Sequence, residues 1–432
     1  MKKGLLLSAV AVSIMGLSST AQVSFKKYTN NSSPFIGMVQ DVPVRESGFS
    51  GLYYIPGSDM EFFTVSDRGF AVDAGKSPCG TGKEKIIPLP KYVAKIHRIK
   101  LAGDSIQVLQ TMSVKRPDGK DASGLPLPKA KGNTGEVLWG SMPTDCKHID
   151  VLGTDEWGID PEGICIGADN SFWICEEFGT SVWHLDATGK VIKRYSPYGK
   201  ADHQLPIDTT FKHRKANHGF EGIAITPSGK VYAFVQNTMP FGDKDKVEST
   251  RIMRILELDP ETGKTRMFAY VNDGDTTIDG KKYKASGWSI GDAAAINDSE
   301  FLVMDHHKSQ MRMIRVNIAQ ATPITKDIVN GKTVEEYIDA AGLASIGIKP
   351  VTRSLFLDLV ANGWDPKQDK TEDMAIVNDS TVAVGIDNDY SLDSTKEGVA
   401  SSSNNNCFIY VFSLQGDNKL KGYVPSKNKW SK

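Results

Sequence analysis

Short apolar runs separated by turn residues recur along the chain and predict β-hairpins. One copy begins at Glu162, turns at Ala168-Asp169-Asn170 and ends at Glu176 and Glu177. Apolar runs bounded by turn-forming residues are typical of paired strands. The same order of first residue, apolar run, turn, apolar run and polar end occurs in four further segments, which begin at Ser50, Glu221, Asp292 and Asp373.

Further strand candidates follow most of these hairpins, for example Tyr92 to Lys100 and Ile106 to Val114. Four short strands per repeat, with long insertions between repeats, are typical of a β-propeller. A β-sandwich or two separate barrels are the alternatives, and the register shared by five copies favours the propeller. We therefore predict an all-β fold, a single β-propeller with five visible blades, in which Phe35 to Val44 closes the ring or belongs to a sixth.

Two segments interrupt the hairpin pattern. Residues 116–158 are rich in Pro, Gly and Lys and have little periodicity, which predicts a long loop insertion over one face. Residues 331–345 have helical spacing after a capping box of Thr333 and Glu336, which predicts a helix that stops at Gly342.

The first residues of the sequence resemble an export signal. Lys2 and Lys3 precede a short apolar run, and Ser19-Thr20-Ala21 supplies the small residues of a cleavage site. We expect residues 1–21 to be a signal peptide and residues 22–432 to form one exported propeller domain, periplasmic or extracellular. No second apolar run of membrane length follows, so we expect no membrane span.

The charge balance argues against a nucleic-acid partner. The 432 residues contain 51 Lys and Arg against 52 Asp and Glu, a net charge of −1. Binding to phosphate backbones requires a concentrated basic surface. The pattern specifies no oligomeric state.

The five cysteines suggest one disulfide. The count is odd, and no CxxC pair is present to suggest a zinc ribbon or a thioredoxin-type motif. Cys165 and Cys175 lie in apolar strand-like runs, whereas Cys79 and Cys146 lie in Gly- and Pro-rich sequence with little apolar pattern. A loop of this kind in an exported protein gains most from a covalent link, so we predict a bond between Cys79 and Cys146.

Acidic residues begin and end the predicted hairpins. Inner strands of a propeller line the central channel, and a hairpin returns its second strand to the face where the first began. We therefore expect the acids at one mouth of the channel, where a cation would offset their repulsion. Each acid could instead cap its own blade. The metal-ligand candidates, with Ca²⁺ as the expected ion and other divalent metals as alternatives, are Glu162, Glu177, Glu221, Asp292 and Asp305.

Three further residues are candidates for catalysis. Arg68 follows a predicted strand end, where its guanidinium could hold a phosphate or pair with an acid of a neighbouring blade. His306 is a candidate acid or base, as is His218 beside Glu221. Glu176 belongs to the same polar strand ends. No GxSxG, HExxH or P-loop motif is present.

The motifs that carry these residues resemble a known family. They are similar to the phytase-like domain called "esterase-like activity of phytase" over about residues 45–415, through Ser50-Gly51-Leu52, Ser66-Asp67-Arg68-Gly69, Asp160-Pro161-Glu162-Gly163-Ile164, Trp173, Glu176-Glu177 and Asn217 to Ile223. The resemblance implies an Asp- and Glu-rich propeller of exported bacterial proteins that acts on phosphate esters. Gln236 and Ser50 stand where this pattern commonly has an acid.

These observations support a functional hypothesis with two alternatives. We expect an exported metal-dependent hydrolase of phosphate esters, phytase-like or phosphodiesterase-like, with a small-molecule phosphoester substrate and a carboxylate ring at the channel mouth. The first alternative is a non-catalytic propeller that binds a glycan, a peptide or a partner protein. The second is a lactonase-type hydrolase with a similar central metal.

Overall fold

The computed structural model describes residues 23–31, 33–75, 77, 79–82, 84–141, 143, 145–278, 280–368, 370–394, 400–428 and 430. The predicted signal peptide, residues 1–21, lies outside these ranges. Among the described residues, no helix combines the length and the apolar character needed to cross a bilayer.

The first blade follows an N-terminal strand and a hairpin. Its four antiparallel strands pair in the order β4, β5, β8 and β9, and β6 and β7 leave the blade to form a separate sheet with β10. The bounds are β1 (Ser24–Thr29), β2 (Phe35–Val39), β3 (Val42–Arg45), β4 (Phe49–Tyr54), β5 (Glu61–Ser66), β6 (Val72–Asp73), β7 (Glu84–Ile86), β8 (Lys95–Ala102), β9 (Ser105–Ser113) and β10 (Val137–Trp139).

The second and third blades follow the insertion. Each is an antiparallel sheet in chain order, and β15 adds a parallel edge strand to the second. The second blade consists of β11 (Pro161–Ile166), β12 (Phe172–Glu176), β13 (Ser181–Leu185), β14 (Val191–Ser196) and β15 (Gln204–Pro206). The third blade consists of β16 (Phe220–Ile225), β17 (Val231–Val235), β18 (Ile252–Leu258) and β19 (Thr265–Val271).

The fourth blade pairs β22, β23, β24 and β27, with short hairpins before and within it. The bounds are β20 (Thr276–Ile278), β21 (Lys281–Tyr283), β22 (Ser289–Ala295), β23 (Glu300–His307), β24 (Gln310–Asn317), β25 (Ile328–Val329), β26 (Lys332–Thr333) and β27 (Thr352–Asp358).

The fifth blade joins the two ends of the described chain. β28, β29 and β32 pair in order, and β1 completes the sheet by running antiparallel to β32, with Ser24 opposite Ser413. The bounds are β28 (Asp373–Asn378), β29 (Thr381–Gly385), β30 (Leu392–Ser394), β31 (Ala400–Ser402) and β32 (Phe408–Ser413). Phe35 to Val44 forms the separate β2–β3 hairpin and not a four-stranded sheet.

The helical elements are short. Within the described ranges the α-helices are α1 (Lys244–Val247) and α2 (Ala340–Ala344). The 3₁₀ turns are Lys129–Lys131, Thr209–His213, Ala285–Gly287, Val334–Tyr337, Val360–Asn362, Asp389–Ser391 and Gly416–Asn418.

The prediction of one helix over residues 331–345 is wrong, although its capping box forms between Thr333 and Glu336. The chain makes only a 3₁₀ turn there, because Ile338 adopts a φ of 70° and breaks it. Asp339 then caps α2 by accepting a hydrogen bond from the Gly342 N–H at 2.9 Å, so Gly342 lies inside the second helix.

The first strands of the five blades contact one another in a closed ring; they are β4, β11, β16, β22 and β28. This arrangement confirms the predicted β-propeller and places the acid-led hairpins innermost. The ring is narrow: a Cβ built on Gly163 would lie 2.9 Å from the Glu221 carbonyl oxygen, and one on Gly222 would lie 2.8 Å from the Ala293 nitrogen. Glycine is therefore required where inner strands approach most closely.

The hydrophobic core lies between adjacent blades. One cluster joins Trp173 and Val182 of the second blade to Ile223 and Val235 of the third, all buried. Alternating side chains of each sheet thus pack against its neighbour, which fixes the blades around the channel.

The predicted loop insertion is tied down at two points. A disulfide joins Cys79 and Cys146 across 67 residues, which confirms the predicted pair, while Cys165, Cys175 and Cys407 are free and buried. Within the insertion, β10 runs parallel to β7. The described part of the insertion contains β10 and one 3₁₀ turn, and it is otherwise irregular, which agrees with the predicted loop.

Candidate metal-binding and catalytic site

One mouth of the channel is a cavity of about 250 Å³ surrounded by carboxyl groups. Strand ends from several blades and the loops that follow them supply its walls. The residues with cationic side chains that line it are Arg68, Lys85 and Lys370, and the candidate acid or base His218 lines it too. The acidic residues are Asp67, Asp160, Glu162, Glu177, Glu221, Glu372, Asp387 and Asp389.

A strand irregularity directs Glu162 and Glu221 into this cavity. The β11–β12 pairing passes from Pro161 to Gly163 and leaves Glu162 without a cross-strand partner. The β16–β17 pairing passes from Phe220 to Gly222 and leaves out Glu221 in the same way. A β-bulge re-aims the side chain of its extra residue, so the same position in two blades contributes one carboxylate each.

Three groups of carboxylates bring their oxygen atoms within 4.8 Å of one another. Glu162 and Asp67 each belong to two groups, so the three form one continuous array. The groups are Glu162 with Glu177 and Glu221, Asp67 with Asp160 and Glu162, and Asp67 with Asp387 and Asp389. Clustered carboxylate oxygens are the ligand set that Ca²⁺ prefers.

Several oxygen atoms of this site have no donor among the described residues. Glu221 Oε1 accepts a hydrogen bond from Gln236 Nε2 at 2.8 Å, but Glu221 Oε2 has no partner, and neither has Gln236 Oε1. Asn217 Oδ1, on the same cavity wall, is also unpaired. Buried acceptors without donors cost free energy unless something positive binds them. The residues present therefore fit a hard divalent cation.

The electrostatics of the cavity favour protonated carboxyls in the metal-free protein. Burial raises the pKa of Glu177 and Glu372 to about 8, although Arg68 and Lys370, respectively, act in the opposite direction. Burial likewise raises the pKa of Asp160 and Asp387 to about 7. For Asp67, Glu162 and Glu221, burial and neighbouring carboxylates raise the pKa well above its usual value.

Arg68 lines the cavity, but an acid of the insertion engages its guanidinium. Nη1 and Nη2 donate to the two carboxylate oxygens of Glu136 at 2.6 and 3.0 Å, and Nε lies 3.7 Å from Asp160 Oδ2. Burial alone would raise the pKa of Glu136. The neighbouring Arg68 acts in the opposite direction and outweighs burial, so the pKa of Glu136 lies below its usual value. Arg68 therefore forms ion pairs, one with Glu136 of the insertion and one with Asp160, which precedes the second blade.

The structure does not bring Asp292 to the cavity. In the β22–β23 pairing the chain passes from Ile290 to Asp292, so Gly291 takes the irregular position that Glu162 and Glu221 hold elsewhere. Asp292 accepts backbone hydrogen bonds from Ala293 at 2.7 Å and Met374 at 2.8 Å. The alternative was that each acid caps its own blade; Asp292 does accept backbone hydrogen bonds, but one of them comes from the inner strand of the fifth blade. Asp292 occupies the same place in the sequence repeat as Glu162 and Glu221, but the irregular position of its strand lies one residue earlier, which the sequence pattern did not show.

Glu176 also lies outside the cavity. Its Oε1 accepts hydrogen bonds from the backbone N–H groups of Gly179 and Ser181, each at 3.1 Å, and from the Ser181 hydroxyl. This carboxylate therefore stabilises the turn between β12 and β13. The adjacent Glu177 faces the cavity instead.

Asp305 and His306 lie on β23 away from the cavity lining. Asp305 accepts from the Tyr270 hydroxyl at 2.7 Å and from Nη2 of Arg353 at 2.7 Å and of Arg312 at 3.2 Å. This ion-pair network accounts for its charge. His306 pairs in register with Ser289 and Met311.

Several cavity residues escaped the sequence-based selection. Asp160 immediately precedes the Pro161-Glu162 motif, and Asp67 precedes Arg68, so each was visible as the neighbour of a chosen residue. Glu372 lines the cavity where the pattern pointed to Asp373, again a shift of one position. No sequence pattern indicated that Lys370 would line the cavity. Its Nζ lies 2.7 Å from Asp389 Oδ1 and 3.4 Å from Asp387 Oδ2.

A family model matches most of the chain. It is described as "Phytase-like: Esterase-like activity of phytase" and covers residues 45–390. The chain belongs to this family. The match includes the inner strands of all five blades and every residue that lines the carboxylate cavity.

One individual protein is similar at low identity. An uncharacterised secreted protein of Arthroderma benhamiae is 24% identical over 300 residues, which is 60% of this chain and 58% of that protein. The chain therefore spans less than two thirds of that relative.

Two solved structures align with most of this chain at low similarity. Aldose sugar dehydrogenase of Streptomyces coelicolor in its PQQ-bound form is 8% identical, with 91% of this chain and 99% of that chain covered and a TM-score of 0.32. Virginiamycin B lyase of Staphylococcus aureus is 10% identical, with 91% and 100% covered and a TM-score of 0.32. Similarity at this level says nothing about what this protein binds.

Two buried acids should respond oppositely to amide substitution. Asp292→Asn replaces one of two oxygens that accept from backbone N–H groups with an NH2 donor, so we expect the free energy of unfolding to fall by about 1–3 kcal/mol. Glu221→Gln replaces a carboxyl group whose raised pKa favours the neutral form with a neutral amide, so with chelator present the free energy of unfolding should change by no more than about 0.5 kcal/mol or should rise. Urea unfolding of both variants measures this. Equal losses would make Glu221 a structural cap as well.

The metal-free protein should lose stability as the pH rises. Glu177 has an ordinary pKa of 4.5 when unfolded and about 8 when folded. Below the lower value both states are protonated and the stability is fully present, and it is lost as the pH passes through the higher value. Thermal melts with chelator should show a lower Tm at about pH 8 than at about pH 5. A Tm that rises over this range would contradict the raised pKa values.

Proposed function

We propose that the protein is an exported, metal-dependent hydrolase that acts on phosphate esters, with Ca²⁺ as its ion. The observation that supports this proposal most strongly is the set of Glu162, Glu177 and Glu221, whose oxygens lie within 4.8 Å of one another while Glu221 Oε2 lacks a donor. Membership of the phytase-like esterase family supports hydrolysis as the activity.

The three glutamates would hold the ion. When bound, it would supply a Lewis acid that polarises a phosphoryl oxygen and lowers the pKa of a water molecule. The side chains of Glu162, Glu177 and Glu221 orient this centre from two adjacent blades. Because Glu162 is also within reach of Asp67 and Asp160, the ligand group borders directly on the groups that can move a proton.

Asp160 is the best acid or base of the site, in place of His306. Burial holds its pKa at about 7, against the opposing effect of Arg68. A general acid or base works best when its pKa lies near the working pH. Asp160 also lies on the cavity wall between Arg68 and Glu162, whereas His306 does not line the cavity.

The basic residues of the cavity suit an anionic substrate. Lys370 and Lys85 line the wall, and the Lys370 ammonium is held by Asp387 and Asp389. A phosphate ester would place its negative oxygens towards these ammonium groups and the ion. A carbon ester such as a lactone carries no negative charge for these ammonium groups to bind, which favours the phosphoester.

Export is the final part of the proposal. The signal peptide expected over residues 1–21 directs the chain out of the cytoplasm, to the periplasm or beyond it. The relative from Arthroderma benhamiae is itself described as secreted. The disulfide between Cys79 and Cys146 suits an oxidising compartment.

Substitution of the cavity glutamates should weaken both calcium binding and hydrolysis. We expect Glu221→Gln and Glu162→Gln to weaken Ca²⁺ binding by about tenfold or more and to slow hydrolysis of an aryl phosphodiester. The side chain of Asp104 is 89% exposed and lies outside the cavity, so Asp104→Asn is the matched control and should behave as wild type. Chelator should lower the wild-type Tm, because an ion bound only to the folded state stabilises it.

The other functional classes give different results in the same assays. Hydrolysis of lactones without hydrolysis of phosphoesters would indicate the lactonase-type enzyme. A wild type that is indifferent to chelator and calcium and inactive on both substrate classes would overturn the proposal in favour of a binding propeller.

A further inference from the structure

A second cavity, separate from the carboxylate site, lies beside the second blade. Its volume is about 520 Å³, and it shares no lining residue with the channel mouth. Three loops form it: the start of the insertion, the segment before β11 and the turn before β15. Its side chains include Arg116, Asp118, Trp157, Asp202 and His203.

A rigid aromatic group forms one wall of this cavity. The Trp157 ring is half-buried, with the Arg194 guanidinium 4.3 Å from its centroid and the Trp183 ring edge-on at 5.6 Å. Arg194 is fixed in turn, because Nε and Nη2 donate to Gln204 Oε1 and Nη1 donates to the Glu156 carbonyl. The indole is therefore held in place before any ligand arrives.

Hydrogen-bonding groups of both kinds surround the indole. The Arg116 guanidinium has a buried Nε with no partner among the described residues, while Nη2 lies 3.5 Å from Asp118 Oδ2. Asp202 has a side chain that is 99% exposed, and its Oδ1 lies 3.9 Å from His203 Nε2. The lining thus offers hydrogen-bond donors and acceptors together with one aromatic side chain, and its charges, two arginines against three acids, nearly balance.

We propose that this cavity binds a carbohydrate. A sugar ring has an apolar face that packs on an indole and hydroxyl groups that both donate and accept, which matches Trp157 flanked by Arg116 and Asp202. The volume accommodates a short oligosaccharide. The near balance of charge in the lining disfavours a strongly anionic ligand, which distinguishes this site from the channel mouth.

Screening of the mature protein against an array of neutral oligosaccharides tests the proposal, followed by titration of the strongest binder. We expect Trp157→Ala and Asp202→Ala each to weaken binding by about tenfold. Because the side chain of Asp202 is exposed, Asp202→Ala should fold normally. It therefore tests the proposal even if Trp157→Ala fails to fold. Asp104→Ala, an exposed acid elsewhere, should bind as wild type.

Two results would overturn the proposal. One is that no oligosaccharide binds, or that binding is equal in wild type, Trp157→Ala and Asp202→Ala. The other is that a peptide array, and not the glycan array, gives ligands sensitive to Asp202→Ala. Calcium binding at the channel mouth should be unchanged in Asp202→Ala, so the outcome is independent of the proposed hydrolase function.

Discussion

The crowding of buried carboxyl groups at one mouth of the channel is the constraint on which the rest of the site depends. Eight acidic side chains line a cavity that contains three basic ones. Two ionised carboxylates 4.8 Å apart repel each other by about 3 kcal/mol at an effective dielectric constant of about 20. The cavity is therefore expected either to retain protons on several carboxyls or to bind a cation.

The propeller supplies that geometry through its inner ring. Close approach at Gly163 and Gly222 brings neighbouring inner strands together, and the irregular positions at Glu162 and Glu221 turn two side chains out of the ladder towards the mouth. Pairing of β1 with β32 joins the two ends of the described chain in the last blade. Arg68 links the ring to the disulfide-held insertion through Glu136.

The sequence predicted the fold and part of the site. The strand register explains why some predicted site residues lie in the cavity and others do not. Periodicity located the inner hairpins, because alternation survives insertions between blades, and it brought Glu162, Glu177 and Glu221 together. It failed at Asp292 because the irregularity falls on Gly291 in that blade, a one-residue difference that composition does not reveal. Asp305 was misassigned because its partners, Arg312 and Arg353, come from other strands. Lys370 is placed by a loop, for which no local pattern exists.

Proton release on calcium binding is the measurement that tests the account most directly. Asp160 and Glu177 have pKa values of about 7 and about 8 when no ion is bound, so an ion that needs ionised ligands must displace protons near neutral pH. Calorimetric titration of the mature protein with Ca²⁺ at about pH 7, in two buffers of different ionisation enthalpy, gives the number released. The account predicts binding accompanied by net proton release. Absence of binding, or binding without proton release, would contradict it.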